Sequence, residues 1–409
     1  MSPPAGLSRV VGGASGIPAS LVKNWWVWFV VRVPGAISVA VFWPRAYAGR
    51  ETSDATLYRH WATLFTHGLL PYRDFRVEYP PGVVPLMLLP PWRDVAEFRI
   101  ELVAVALVVD AVTMRSILRA GNHRLGSWVW ALAPAALGPI EWARLDIFVA
   151  AAVIAAVLAL EQDHLRRAGW WLAFAALVKL WPMALVAVVA FTLTDRRLRQ
   201  FLAAAAFTLA AFVAPVLVWG GWPGLRWMLS DQVGRGVQVE SLVAIPLFMA
   251  RQLGLRERVI FSHGSHEIVG AGASGMATAS TWTLLVGVLG VLLLAWRRRN
   301  HSNAVVLVTL AMVAIVIATA KVLSPQYMLW AVAAVTVSID SIYRPRRLFG
   351  WIVVGLVVTQ ADYPLLYFKL IEANTDSTFI AAAHGAGILG FALAALTAAG
   401  RDLRVRRPG

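Results

Sequence analysis

Hydrophobic and polar positions along this chain separate into blocks. Apolar runs fall near 24–43, 98–117, 126–139, 145–161, 168–178, 182–193, 199–219, 280–297, 304–320, 326–340, 347–369 and 379–399. A helix needs about 20 apolar residues to cross a bilayer core, so the pattern predicts about twelve membrane segments, several of them short. The shortest neighbours lie in WWLAFAALVKLWPMALVAVVAFTL, which ends at Leu193. Pro182 cannot donate a backbone hydrogen bond and disfavours helix at the residue before it, so this stretch reads as a broken hairpin. Irregular backbone at membrane depth is tolerated where protein or water covers it, which predicts that the break faces a cavity.

Between the first two runs the rhythm changes. Asp54, Leu57, Tyr58, Trp61, Leu64, Phe65 and Gly68 follow the i, i+3, i+4, i+7 spacing of one helical face. A short helix is therefore expected in this loop, capped by Thr52 or Ser53 and ended by Gly68. Next comes PYRDFRVEYPPG, in which three prolines exclude a spanning helix and aromatics alternate with Arg73, Asp74, Arg76 and Glu78.

Composition agrees with this pattern. Of 409 residues 59% are hydrophobic and 14% charged, and the mean hydropathy is +0.67. That exceeds what a water-soluble globular chain carries and predicts an all-α polytopic membrane protein. Basic clusters sit at alternate run ends: Arg115/Arg119/Arg124, Arg166/Arg167, Arg196/Arg197/Arg199, Arg297 to Arg299, Arg344/Arg346/Arg347, and Arg401 onward. They share one side if 168–193 is a hairpin, and by the positive-inside rule that side is cytoplasmic, with both termini. The net charge of +15 is then a topology signal and an attraction to anionic membrane lipids, with no nucleic-acid partner implied. The expected division is a disordered cytoplasmic tail over 1–23, one transmembrane domain over 24–399 with outer loops 44–97 and 220–279, and a basic tail over 400–409. The absence of cysteine excludes disulfides and thiolate metal sites.

With that topology the polar residues collect near the outer leaflet. Asp54 heads an apolar stripe, so it either caps its helix or points inward. Asp74 and Glu78 either line a cavity mouth or form an arginine–carboxylate lattice that stiffens the loop. Lys179 lies at the hairpin break, Lys321 ends a run, and Asp146 begins one beside Arg144. Ionisable groups at such depth are costly and face a cavity or a partner, although long lysines also snorkel to the interface. His263, His266 and Glu267 have metal-ligand chemistry but sit in a Gly-rich stretch without a third strong ligand. Most of the 19 tryptophans are expected in interfacial belts.

These residues together resemble the GT-C membrane glycosyltransferases that use polyprenyl-phosphate sugars, in particular glycosyltransferase family 87, which includes actinobacterial phosphatidylinositol-mannoside mannosyltransferases. The likeness rests on Asp54 to Tyr58, Gly68 to Tyr72 and Tyr79-Pro80-Pro81. Ala168 through Lys179 to Pro182 and Ser324-Pro325-Gln326-Tyr327-Met328-Leu329-Trp330 extend it, with Ala168 standing where glycine is usual. The chain departs where relatives often have Gly-Gln-x-Asn, having Arg144-Leu145-Asp146-Ile147, and at Gln326, where some mannosyltransferases have His.

The resemblance implies inverting transfer of a sugar, mannose first among candidates, from a polyprenyl-phosphate donor to a lipid or glycolipid hydroxyl on the outer face. Asp54 would be the general base. Lys179, Lys321 and Arg144 would hold the donor phosphate. Tyr58, Glu78, Tyr79, Asp146 and Gln326 would orient substrate. No metal or cofactor is called for. A transporter of lipid-linked or anionic sugars is the alternative; transporters commonly pair broken helices in two halves with a site at the bilayer midplane, whereas this chain shows one clear break.

Overall fold

The computed structural model describes residues 19–46, 54–90, 94–254, 257–299, 301 and 303–401, and helix follows the apolar runs. α1 (Ala19–Ala46), α2 (Ala55–Thr66), α3 (Val95–Ala120), α4 (Arg124–Leu132) and α5 (Asp146–Glu161) lead into the hairpin of α6 (Leu165–Val178) and α7 (Pro182–Thr192). α8 (Asp195–Val218) and α9 (Trp222–Gly234) follow, then a small sheet that brackets α10 (Ala244–Gln252). α11 (Ala273–Arg298), α12 (Ala304–Thr319), α13 (Met328–Ser338), α14 (Pro345–Gln360), α15 (Tyr367–Ile371) and α16 (Thr375–Arg401) complete the chain.

Five stretches among the described residues are long and apolar enough to cross a membrane: Lys23–Val41, Asp195–Val218, Ala273–Arg298, Pro345–Leu365 and Thr375–Gly400. Pro182–Thr192 and Ala304–Thr319 are shorter apolar helices. The protein is thus a multi-pass, largely helical membrane protein with five candidate crossings. Burial separates two kinds of helix. Every residue of α13 is buried, as are 12 of the 16 of α12, so these helices are apolar all round because protein surrounds them. On α8 and α11, Phe207, Val286 and Leu289 are instead exposed, a surface that suits lipid tails and would aggregate in water.

One buried ion cluster ties the first helices together. Arg32 of α1 is fully buried and donates through Nε to Asp110 of α3 at 2.8 Å and also pairs with Glu141. Trp28 donates its indole N–H to the same Asp110 at 3.0 Å, and the guanidinium lies 5.0 Å from the Trp142 ring. An arginine within a candidate crossing is therefore compensated by two carboxylates and an aromatic face.

Several expected boundaries shift for local reasons. The run 126–139 is helical only to Leu132; beyond it Pro134 and Gly138 (φ 72°) turn the chain into 3-10 segments ending at Glu141. The run 326–340 opens with a 3-10 turn at Pro325–Tyr327. The run 347–369 is not one helix: α14 stops at Gln360, a π-turn spans Ala361–Leu365 around Pro364, and α15 follows. α1 begins at Ala19, inside the expected tail 1–23, and α16 reaches Arg401. Thr52 and Ser53, expected as caps, lie outside the described residues, whereas Gly68 (φ 83°) does follow the end of α2.

The second long loop, expected over 220–279, contains a sheet. β1 (Val237–Gln238), β2 (Arg258–Ser262) and β3 (Ser265–Val269) pair antiparallel in the order β1-β3-β2, with Val237 and Val259 both opposite Ile268. His263 and Gly264 (φ 48° and 69°) make the two-residue turn with positive φ that suits the twist of a hairpin.

Two glycines set the close approaches that matter for the site. At Gly169 a Cβ would lie 2.3 Å from the Phe201 carbonyl oxygen, so only glycine lets α6 meet α8 there. At Gly82 a Cβ would lie 2.7 Å from the Leu177 backbone, which brings the Tyr79-Pro80-Pro81 loop against the end of α6, just before Lys179.

Candidate active site

The break between α6 and α7 is where the polar residues meet. α6 ends at Val178, Lys179 is extended (φ −143°, ψ 137°), and α7 restarts with Pro182 at its first position. Trp330 stacks on Trp181 at 4.7 Å and on Tyr327 at 3.8 Å between centroids, so α13 braces the break. Lys179 and Leu180 line a cavity of about 730 Å³. Its wall also draws on α2, the first long loop, the turn before α5, the β2–β3 hairpin, the loop before α13, and the π-turn with α15.

Asp54 stands at the N-cap position of α2, yet its side chain makes no capping bond. The carboxylate turns into the cavity, where Oδ2 accepts the Tyr58 hydroxyl at 3.1 Å, the Tyr79 hydroxyl at 3.4 Å and Arg144 Nη1 at 3.3 Å. Burial pushes the Tyr79 phenol up to about 12 and the Tyr58 phenol well above its ordinary range, so at neutral pH both are hydrogen-bond donors to Asp54. Tyr79 also presents its ring to Lys179 Nζ at 4.5 Å, and the Tyr327 ring lies 5.3 Å from the same ammonium. Beneath them Asp146 is 1% exposed and lies 3.8 Å from Lys179 Nζ. The result is a compact crossing of charges, Asp54 with Arg144 and Asp146 with Lys179, around one tyrosine.

The other end of the cavity is richer in carboxylates. Glu78 is held up in pKa, first by burial, with Arg235 opposing and Asp231 and Asp54 adding to the rise. Arg235 donates to Ser265 Oγ at 3.0 Å and lies 3.9 Å from Glu267, while His263 sits 3.3 Å from Glu267 and 3.8 Å from Asp231. His266 turns away to the Tyr367 hydroxyl at 2.9 Å. Among the described residues no three or more metal-ligating side chains converge as an ion site.

Of the residues singled out in the sequence, Asp54, Glu78, Tyr79, Arg144, Lys179 and Gln326 all line this cavity. Tyr58 and Asp146 lie behind the wall and act on it through Asp54 and Lys179. Lys321 does not join them. Its ammonium donates to the Val233 carbonyl at 2.9 Å while its own carbonyl accepts from Gln238 N at 2.9 Å, so it fastens the loop before α13 to β1. Asp74 is likewise engaged locally, with Arg73 and the Leu70 N–H, both at 2.8 Å. Arg235, Glu240, Tyr363 and Tyr367 also line the cavity. They were not singled out because Tyr363 and Tyr367 sit inside what reads as one apolar run, and Glu240 follows a strand only two residues long.

The sequence pattern of glycosyltransferase family 87 matches residues 78–325, more than half of the chain. The chain belongs to glycosyltransferase family 87. No curated protein matches it. The family 87 region holds Glu78, Tyr79, Arg144, Asp146, Lys179 and Lys321; it starts downstream of Asp54 and Tyr58 and stops one residue before Gln326. Arg144, Lys179 and Arg235 therefore belong to the shared part of the chain, and the helix that Asp54 heads precedes it.

Proposed function

We propose that this family 87 protein transfers a sugar, mannose first among candidates, with inversion from a polyprenyl-phosphate donor to a hydroxyl of a lipid or glycolipid acceptor. Asp54 takes the proton of the acceptor hydroxyl as that oxygen attacks the anomeric carbon. The bond from the anomeric carbon to the phosphate oxygen breaks, and its electron pair leaves with the polyprenyl phosphate. Arg144 and Lys179 face the charge that develops there, and fixed cations stabilise such charge without the reorganisation that solvent must undergo. Tyr58 and Tyr79 orient the base, Asp146 positions Lys179, and Glu78 with Gln326 contacts substrate. Lys321 is left out of the scheme because its ammonium is already tied to the Val233 carbonyl.

The observation that carries the reading is the convergence of Asp54, Arg144 and Lys179 on a single cavity, with Asp54 3.3 Å from Arg144 and not capping its helix. We place the site on the outer face of the cell membrane, with twelve crossings and both termini cytoplasmic; the one-sided arginine clusters support this orientation. The test is transfer of labelled sugar from a panel of polyprenyl-phosphate sugars to endogenous lipids, in membranes with and without the protein. A new labelled glycolipid that depends on the protein is expected. No transfer from any donor by correctly folded protein would overturn the transferase assignment.

A further inference from the structure

Among the described residues, three polar atoms in the cavity wall have no hydrogen-bond partner: Arg235 Nε, which lies 3.9 Å from the Glu267 carboxylate, and two acceptors. Glu240 is 5% exposed and its Oε2 is unpartnered; Gln326 is 2% exposed and its Oε1 is unpartnered. Both residues line the cavity. An unsatisfied buried acceptor costs about 1–3 kcal/mol, and native structures keep few such groups without a reason.

The backbone around Glu240 is fixed. Gln238 N donates to the Lys321 carbonyl at 2.9 Å and Val239 N to the His266 carbonyl at 3.1 Å, so Glu240 leaves the sheet in one defined direction. Gln238, two residues before Glu240, and Ser324, two residues before Gln326, are joined by a bond of 3.3 Å from Gln238 Nε2 to Ser324 Oγ. Both also line the cavity. This strip carries one carboxyl and three neutral polar side chains. It adjoins the cationic end, because Glu240 feels the charge of Arg144 and Gln326 precedes Tyr327, whose ring faces Lys179.

We infer that Glu240 and Gln326 form the subsite for the donor's sugar ring, accepting hydrogen bonds from its hydroxyls and selecting an uncharged sugar over a uronic acid. The inference rests on the phosphate lying between Arg144 and Lys179, since the sugar of such a donor is joined directly to that phosphate. Hydroxyl donors are the ligand chemistry that two orphan acceptors call for. A sugar carboxylate would instead bring acceptor against acceptor and, where Glu240 is ionised, charge against like charge. Burial, the largest cause, pushes the Glu240 carboxyl up to about 7. In its protonated form the carboxyl both donates to and accepts from sugar hydroxyls.

The experiment measures equilibrium binding, without turnover, of three farnesyl-phosphate probes to the full-length protein in detergent: bare, carrying mannose, and carrying glucuronic acid. Wild type is expected to bind the mannosyl probe about tenfold or more tighter than the bare phosphate, and the glucuronyl probe no tighter than the bare phosphate. Glu240→Ala is expected to reduce the mannosyl advantage to about threefold or less, with bare-phosphate binding within about twofold of wild type. Gln326→Ala serves as an independent second variant if Glu240→Ala does not fold, and is expected to reduce the same advantage. A mannosyl advantage unchanged in either folded variant, or absent in wild type, overturns the subsite. So does an equal loss of bare and mannosyl binding, which marks a structural role alone. Failure of the transferase reading is seen separately, as a bound mannosyl donor that wild type never turns over.

Discussion

Asp54→Asn keeps the size and shape of the side chain and removes one negative charge. At the observed 3.3 Å the attraction between Asp54 and Arg144 amounts to about 5 kcal/mol at an effective dielectric of 20, before the cost of desolvating both groups. Their side chains are 21% and 17% exposed, so water reaches the guanidinium that loses this carboxylate and the net loss of stability is expected near 1–3 kcal/mol. Loss of a general base costs about 10²–10⁴ in rate, equivalent to about 3–5.5 kcal/mol in the barrier. The two effects separate by measurement. Single-turnover transfer is followed with saturating donor and acceptor, well below the unfolding midpoint of the variant, together with binding of farnesyl phosphate. The variant is expected to remain folded, to bind the phosphate at least as well as wild type because Arg144 is released, and to lose at least about a hundredfold in rate. A rate within tenfold of wild type in the folded variant would refute the base assignment.

Other perturbations probe the remaining charges. Lys179→Met strands Asp146, which is 1% exposed, and should cost about 3–5 kcal/mol of stability. Lys179→Met with Asp146→Asn should recover the unfolding midpoint but not donor affinity; recovery of both would remove the phosphate role. Arg32→Leu leaves Asp110 and Glu141 buried without their cation and should deplete folded protein from the membrane fraction. Replacing all three residues by Leu should restore yield, and a single variant with wild-type yield would contradict the ion cluster. The Glu240 carboxyl, raised from an ordinary 4.5 to about 7 by burial, binds its proton more tightly folded than unfolded. Its contribution is therefore fully present below about pH 4.5 and is lost as pH rises through about 7. Glu240→Gln should unfold at a higher temperature than wild type at pH 8 and show less difference at pH 5. Equal pH profiles for the two proteins would show that the Glu240 proton is not linked to folding.

The sequence by itself determined the class of the protein and much of its polar inventory. Long apolar runs announce helices whatever their neighbours, because backbone groups in a bilayer must be satisfied within the segment. The break at Lys179 was legible for the same reason, since proline and an ionisable residue together interrupt an apolar run. Asp54, Arg144 and Lys179 were legible as charges that lipid does not tolerate unpaired. The tertiary structure alone decided their pairing. That Asp54 meets Arg144 and not the start of its own helix depends on contacts between residues 90 positions apart. The same holds for Lys321, which reads like Lys179 in sequence but is consumed by a backbone carbonyl of the chain segment before β1. The β2–β3 hairpin and the turn at Tyr363 were hidden because strands of five residues or fewer and a bend inside an apolar run leave little periodicity to read. Their side chains nevertheless close the cavity, because packing brings together what spacing along the chain keeps apart.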